Sequence, residues 1–175
     1  LNLKPVNVTD IFNHNRIKQV KQRPEAVQVN RLNELERWRE YLNIPLNLHP
    51  KYFPVDPMPS AKLLLAILNS ESEQISEKCY RFAESALLAV WWENKDISQK
   101  ETLIEIINNL GLASENLLKE SESENILVNI EKNTSEAIKK HVFGVPTFIY
   151  QNKLFWGQDR LDFLDRYINN FINSN

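Results

Sequence analysis

The stretch HVFGVPTFIY, residues 141–150, decides the fold of this chain, because a helical pattern ends just before it and a strand pattern begins inside it. Gly144 precedes the dipeptide Val145-Pro146, and residues that favour β-structure follow at once. Proline has no N–H and cannot donate to a sheet ladder, so its place at the mouth of a strand needs a reason. For the residues GVPT taken alone, a trans proline in a turn beside a sheet edge is the simpler explanation.

The sequence after the proline favours a different interpretation. PTFIY and LFW are rich in β-formers and flank QNK at residues 151–153, which predicts a hairpin. This strand–strand–helix order, with Val-Pro opening the first strand, is typical of the thioredoxin fold, in which the X-Pro bond is cis. We therefore predict a cis Val145–Pro146 bond and free backbone groups on Val145 that pair with an extended peptide. After Gly157, one face of the predicted closing helix carries Leu161, Leu164, Ile168 and Phe171.

Helical patterns fill most of the chain upstream of this stretch. Residues 1–6 alternate apolar and polar side chains, which predicts a strand, and residues 13–28 are polar, which predicts a loop. Thr134 or Ser135 is a predicted cap for a helix that runs to about His141. The predicted fold class is α/β, a thioredoxin-like fold with a large all-helical insertion. Its predicted divisions are a thioredoxin-like domain of residues 1–12 and 134–175 and a helical insertion of residues 13–133.

Bulk composition excludes several classes of function. The net charge of -2 and the pI of about 6.0 provide no basic field for nucleic acid. The three histidines lack metal-ligand spacing, and no apolar run approaches the roughly 20 residues of a membrane span. The single cysteine excludes a disulfide framework, a CxxC pair and a Cys-based zinc site within this chain. It also fits a reducing compartment, so we expect a cytoplasmic protein.

That cysteine, Cys79, has a predicted structural role. It lies on one helical stripe with Ile75, Phe82, Ala86, Leu87 and Val90. A buried cysteine on such a stripe behaves as a small hydrophobic residue.

Gln158 and Asp159 follow Gly157 at the start of the closing helix. Free N–H groups at a helix N-terminus, together with the helix dipole, bind a carboxylate, and an acidic side chain beside them holds an ammonium group. The pattern predicts recognition of an α-amino acid zwitterion. The alternative is that Asp159 only caps its helix.

The segment GVPTFIYQNKLFWGQDRLDFLDRYI, residues 144–168, resembles the C-terminal signature of the 2-hydroxychromene-2-carboxylate isomerases. These are relatives of the kappa-class glutathione transferases within the DsbA-like thioredoxin superfamily. The likeness continues upstream in LNELERWREYLNIPLNLHPKYFPV, ALLAVWWENKDIS and NTSEAIKKHVFGVPT. It therefore covers nearly the whole chain.

This resemblance implies a glutathione-dependent isomerase that acts on a small aromatic-catabolic hydroxy acid. It implies that Val145, beside Pro146, binds the cysteinyl part of glutathione through its backbone, and that Gln158 and Asp159 hold the γ-glutamyl end. In the polar loop, Asn13 or Asn15 matches a further glutathione contact. Trp91 and Trp92 match a position near the substrate, although we expect at least one of them to pack in the core, because adjacent helical residues point in different directions.

In that family, the fold begins with a strand and a Ser-Pro turn into the first helix, whose serine activates the thiol of glutathione. No such segment precedes Leu1. We therefore expect the N-terminal strand and helix of the fold to be absent from this chain and the catalytic serine to lie upstream of Leu1. Two alternatives stay open: a DsbA-type thiol–disulfide oxidoreductase with an upstream Cys-x-x-Cys pair, and a non-catalytic protein that binds glutathione or peptides. A homodimer is a further expectation.

Overall fold

The computed structural model describes residues 1–70 and 77–173, and helices dominate it. Short 3-10 turns at Val20–Gln22 and Gln158–Arg160 interrupt the loops. The described elements are α1 (Val8–His14), α2 (Glu25–Leu42), α3 (Met58–Ser70), α4 (Glu77–Trp91), α5 (Lys100–Asn109), α6 (Ser114–Ser121), α7 (Glu124–Lys139), β1 (Thr147–Tyr150), β2 (Lys153–Trp156) and α8 (Leu161–Asn173).

Helices α3 to α7 together form the main hydrophobic core. The stripe on α4 is confirmed for Cys79, Phe82, Ala86 and Val90, which are all buried. The prediction is wrong for Leu87, which is 62% exposed because it lies off the face that packs on the core, and Ile75 lies outside the described residues. Cys79 is completely buried and packs within the core cluster, as expected for a structural residue. Full burial of a large apolar side chain contributes about 1.5–3 kcal/mol. The largest fully buried side chains of this core are Phe82, Leu63, Ile67, Ile107, Ile126 and Ile130.

The hairpin and the closing helix form as predicted. β1 and β2 pair antiparallel, with Thr147 opposite Trp156 and Tyr150 opposite Lys153. The turn residues Gln151 and Asn152 have φ angles of +47° and +61°, which two-residue hairpin turns require and asparagine tolerates well. Helix α8 packs on one face of the hairpin through ring contacts of Tyr167 with Tyr150 and Phe155 and of Phe171 with Tyr150.

The predicted strand at residues 1–6 is not present, because alternation alone does not make a strand without a neighbour to share hydrogen bonds. The segment instead lies along α7. Asn133 Nδ2 donates to Pro5 O over 3.2 Å, and Lys4 pairs with Glu136. Hydrogen bonds from Lys140 and Lys4 lower the pKa of Glu136 to about 2. The N-terminal segment is therefore held by side chains of one helix.

Helix boundaries differ from the sequence prediction at two places. Neither Thr134 nor Ser135 caps a helix, because α7 begins after Ser123 and runs through both positions. Thr134 is buried and its hydroxyl donates to Ile130 O at 2.7 Å, an interior arrangement that satisfies the side chain without ending the helix. The polar loop is also shorter than residues 13–28, because α1, which Asn7 caps through two backbone N–H groups, continues to His14, and α2 already begins at Glu25.

Candidate functional site

The peptide bond between Val145 and Pro146 is cis, which confirms the prediction. Pro146 O accepts a hydrogen bond from the Gly157 N–H at 2.9 Å, and Gly144 O accepts one from Thr147 Oγ1 at 2.6 Å. Among residues 1–70 and 77–173, no hydrogen bond is made by either backbone group of Val145. Val145 is 50% exposed, so the residue lies where a ligand can reach it.

Gly144 is required by the side chain that faces it. A Cβ at this position would lie 2.5 Å from Trp156 Nε1, well inside van der Waals contact. The Trp156 ring in turn packs against Phe143, with centroids 5.0 Å apart. Beside this turn lies an open apolar hollow of ≈ 490 Å³, lined by Phe143, Leu154, Phe155, Trp156, Arg160 and Phe163.

Gln158 and Asp159 lie at the same end of the hairpin as Val145. The hydrogen bond from Gly157 to Pro146 holds the two segments together, and Gly157 adopts a φ of +101° that favours glycine. The turn Gln158–Arg160 then leads directly into α8. The structure thus brings together four predicted cofactor-binding residues: Val145, Pro146, Gln158 and Asp159.

Asp159 has a partner that the sequence did not suggest. Its Oδ2 accepts from Arg160 Nη1 at 2.5 Å, and both side chains are more than a third exposed. Within the described part of the chain, no backbone N–H donates to the Asp159 carboxylate, so the capping alternative has no hydrogen bond in its favour. The sequence signal that could have predicted this ion pair is an acidic residue directly followed by a basic residue at a helix start.

The two asparagines of the polar loop are placed differently. Asn13 is exposed on the last turn of α1, and no side-chain hydrogen bond connects it to the described residues of the site. Asn15 Nδ2 donates to Ile11 O at 2.9 Å and to Val142 O at 3.2 Å. Asn15, rather than Asn13, therefore contacts the segment that leads into Val145.

Trp91 and Trp92 point in different directions, as expected for adjacent helical residues. Trp91 is half-buried and packs on Phe53, with ring centroids 4.7 Å apart. Trp92 is 52% exposed. No ring contact or side-chain hydrogen bond in the described ranges joins either tryptophan to Val145 or Asp159. Trp91 thus takes the core-packing role that we expected for one of the pair.

The described residues contain neither a metal-binding cluster nor a helix that could span a membrane. They hold no group of three or more His, Cys, Asp and Glu side chains that could bind a metal ion. None of their helices is both long and apolar enough to cross a membrane.

Comparison with known proteins gives three consistent matches. Residues 4–169 match the DSBA-like thioredoxin domain. A 2-hydroxychromene-2-carboxylate isomerase from Sphingobium xenophagum is 26% identical over 135 residues, which cover 77% of this chain and 65% of that protein. A solved structure of a 2-hydroxychromene-2-carboxylate isomerase superposes with a TM-score of 0.77 at 19% identity, covering 99% of this chain and 82% of that one.

These matches establish the fold. The chain has an α/β thioredoxin-like fold with a helical insertion, as the sequence predicted. The chain spans slightly less than two thirds of the length of the curated relative. The division into a thioredoxin-like domain of residues 1–12 and 134–175 and a helical insertion of residues 13–133 stays a prediction.

Proposed function

The chain belongs to the DSBA-like thioredoxin domain family, and on this premise we propose that it is a glutathione-dependent isomerase of an aromatic-catabolic hydroxy acid. The proposal is supported by 26% identity over 135 residues to a protein named 2-hydroxychromene-2-carboxylate isomerase. It is also supported by the likeness of residues 144–168 to the signature of those isomerases.

One observation carries the glutathione part of the proposal: Val145 is half exposed, and its backbone N–H and C=O have no hydrogen-bond partner among the described residues. Backbone polar groups in folded proteins nearly always find a partner, whether protein, water or ligand. The two groups flank one side chain, as on a strand edge, so they suit the extended backbone of a peptide. Glutathione is such a peptide, and its cysteinyl residue would pair with Val145.

Gln158 and Asp159 would hold the γ-glutamyl end of the same molecule. The α-carboxylate would accept from N–H groups at the start of the turn, and the ammonium group would bind the Asp159 carboxylate. The ion pair with Arg160 does not prevent this, because exposed ion pairs contribute only about 0–1 kcal/mol and exchange readily. Asn15 would keep the Val142 carbonyl, and hence the approach to Val145, in place.

Bound glutathione would supply a thiolate that adds reversibly to a conjugated carbon of the substrate, allows the ring to open and the bond to rotate, and then departs. The apolar hollow beside Trp156 and Phe163 would shelter the ring of the substrate. A cytoplasmic location and a homodimer belong to the same proposal. They are tested by fractionation and by light scattering.

The decisive experiment uses the full-length natural protein with 2-hydroxychromene-2-carboxylate as substrate. We expect isomerisation, followed by ultraviolet absorbance, that requires glutathione and is not supported by S-methylglutathione, which binds but has no free thiol. Turnover at the same rate without glutathione, or no turnover at any glutathione concentration, would refute the proposal. An insulin-reduction assay on the same sample tests the DsbA-type oxidoreductase, and glutathione binding without turnover would favour the non-catalytic alternative.

A further inference from the structure

Helix α2 lies on the outside of the protein. All 18 of its residues are described, and none of them is buried. One side of the helix faces the rest of the chain, where the guanidinium carbon of Arg31 lies 4.9 Å from the ring centroid of Phe53 and 5.5 Å from that of Trp91. Helices in folded proteins gain most of their stability by packing an apolar face against a neighbour, so the remaining surface of α2 is available for a contact with another molecule.

An open groove of ≈ 310 Å³ runs along the exposed flank of α2. It is lined by Glu34, Arg37, Trp38 and Tyr41, whose spacings of three and four residues place them on one helix face. The rings of Trp38 and Tyr41 meet edge to face with centroids 5.7 Å apart, and Tyr41 is 80% exposed. Arg37 pairs with Glu34 beside them. The groove therefore combines two aromatic rings with one charge of each sign.

This combination favours a protein partner and, among proteins, a second copy of the same surface. Tryptophan, tyrosine and arginine are the residue types that are enriched where protein interfaces gain most of their binding energy. The charges of Glu34 and Arg37 cancel, so the groove does not select a partner of opposite net charge. It contains both members of each complementary pair that it needs, which is the requirement for a twofold interface, in which one surface patch meets itself.

We propose that this groove is the contact between two copies of the chain, which meet with their α2 helices antiparallel. In the register that places Arg37 opposite the partner's Trp38, Glu34 is opposite the partner's Tyr41, because each of these positions lies three residues farther from the twofold axis. The guanidinium then lies over the indole ring in a cation–π contact, and the phenol hydroxyl donates to the carboxylate.

Every residue of the groove is used in this arrangement, and twofold symmetry makes each contact occur twice. The ion pair between Arg37 and Glu34 within one copy does not prevent it, because both side chains are exposed and such pairs exchange readily. The inference rests on the homodimer of the proposed function and names its surface. The competing arrangement is a dimer through the apolar hollow at Phe143, Trp156 and Phe163.

Sedimentation velocity of the full-length protein over a range of concentrations tests the surface. We expect a dimer in the wild type. Arg37→Gln and Tyr41→Ser should each raise its dissociation constant about 10- to 100-fold, because each substitution removes two symmetric contacts. Arg39→Gln is the matched control: it loses a similar ion pair, with Glu36, but lies about 200° around the helix from Arg37, and should dimerise like the wild type. Circular dichroism shows whether the variants are folded.

Disulfide cross-linking tests the antiparallel register. The double variant Glu34→Cys/Tyr41→Cys should form a covalent dimer on mild oxidation, at a protein concentration above the dissociation constant of Tyr41→Ser. Positions seven residues apart in one helix are separated by about 10 Å, beyond the reach of a disulfide, so the bond must join two copies. The native Cys79 is completely buried and does not compete. Asn33→Cys/Glu40→Cys has the same spacing on another side of α2 and should stay uncross-linked.

Three results would overturn the proposal: a monomeric wild type at every concentration, dimerisation like the wild type in both Arg37→Gln and Tyr41→Ser, or equal cross-linking of the two cysteine pairs. The second result would favour a dimer through the hollow. The outcome is distinguishable from that of the isomerase activity. A monomer with glutathione-dependent turnover would refute the surface and support the isomerase. A dimer that depends on Arg37 and Tyr41 but turns over no chromene carboxylate would support the surface and refute the isomerase.

Discussion

Substitution of Asp159 by asparagine separates a ligand-binding role from a structural one. The change keeps the size of the side chain and removes its charge. If Asp159 holds the ammonium group of glutathione, the protein loses a charge-assisted hydrogen bond of roughly 1.5–3 kcal/mol, and glutathione should bind about 10- to 100-fold more weakly. Arg160, which pairs with Asp159 at 2.5 Å, would then be left without its counter-charge beside the ammonium group. This repulsion favours the upper end of that range.

The same substitution should barely alter folding stability. The pair of Asp159 with Arg160 is exposed, and such pairs contribute about 0–1 kcal/mol. For a chain of this size, 1 kcal/mol corresponds to about 2–4 °C in the melting temperature. The carboxylate accepts no backbone N–H among the described residues, so Asp159→Ala should be equally mild. A capping role predicts instead a loss of about 0.5–2 kcal/mol in Asp159→Ala and none in Asp159→Asn.

Calorimetric titration with glutathione, paired with thermal melts, measures both quantities. Asp162→Asn is a suitable control, because Asp162 is an acidic residue in the first turn of the same helix. It should leave glutathione affinity within about twofold of the wild type. Unchanged affinity in Asp159→Asn, or an equal loss in Asp162→Asn, would refute the specific contact with the ammonium group.

Three further perturbations test the packing of the chain. Gly144→Ala places a methyl group 2.5 Å from Trp156 Nε1, so the indole must move; we expect a shifted tryptophan emission spectrum and a loss of about 1–3 kcal/mol by chemical denaturation, and an unaltered spectrum would contradict the contact. Cys79→Ala should lower the melting temperature and leave glutathione-dependent turnover intact, because the thiol is completely buried; abolished turnover at an unchanged melting temperature would show that the structural assignment is wrong. Glu136 has a folded pKa of about 2, below its ordinary value of 4.5, so its contribution to stability is present above pH 4.5 and is lost as the pH falls towards 2. Urea denaturation across this window should show a smaller decline in Glu136→Gln than in the wild type, and identical declines would exclude a role for its two lysine partners.

Local patterns in the sequence were enough to predict the hairpin, the closing helix, the buried stripe of α4 and the cis bond before Pro146. Each depends on interactions between near neighbours: β-formers flanking a two-residue turn, apolar residues at helical spacing, or a proline where a strand begins. The resemblance of residues 144–168 to a known signature added the family. None of these inferences required knowing which distant segments meet.

Predictions that depended on contacts with distant segments of the chain were less successful. The alternating residues 1–6 lie along α7 rather than in a sheet, because a strand is defined by the neighbour with which it shares hydrogen bonds. Thr134 is a good capping residue by type, yet it lies inside α7, where Ile130 O and the Asn7 N–H satisfy its hydroxyl. The sequence does not show whether a polar side chain will form hydrogen bonds with its local neighbours or with a distant segment.

Only the tertiary structure decided which charged and polar side chains meet. It placed Asn15 against Val142 and brought Arg31 between Phe53 and Trp91, contacts that span between 22 and 127 positions of the chain. It also showed that Arg31 has no counter-charge among the described residues, whereas Arg37, six positions along the same helix, is paired. The sequence determines which charges exist, but their environment depends on distances between segments, because electrostatic and cation–π energies depend on separation and burial rather than on order in the chain.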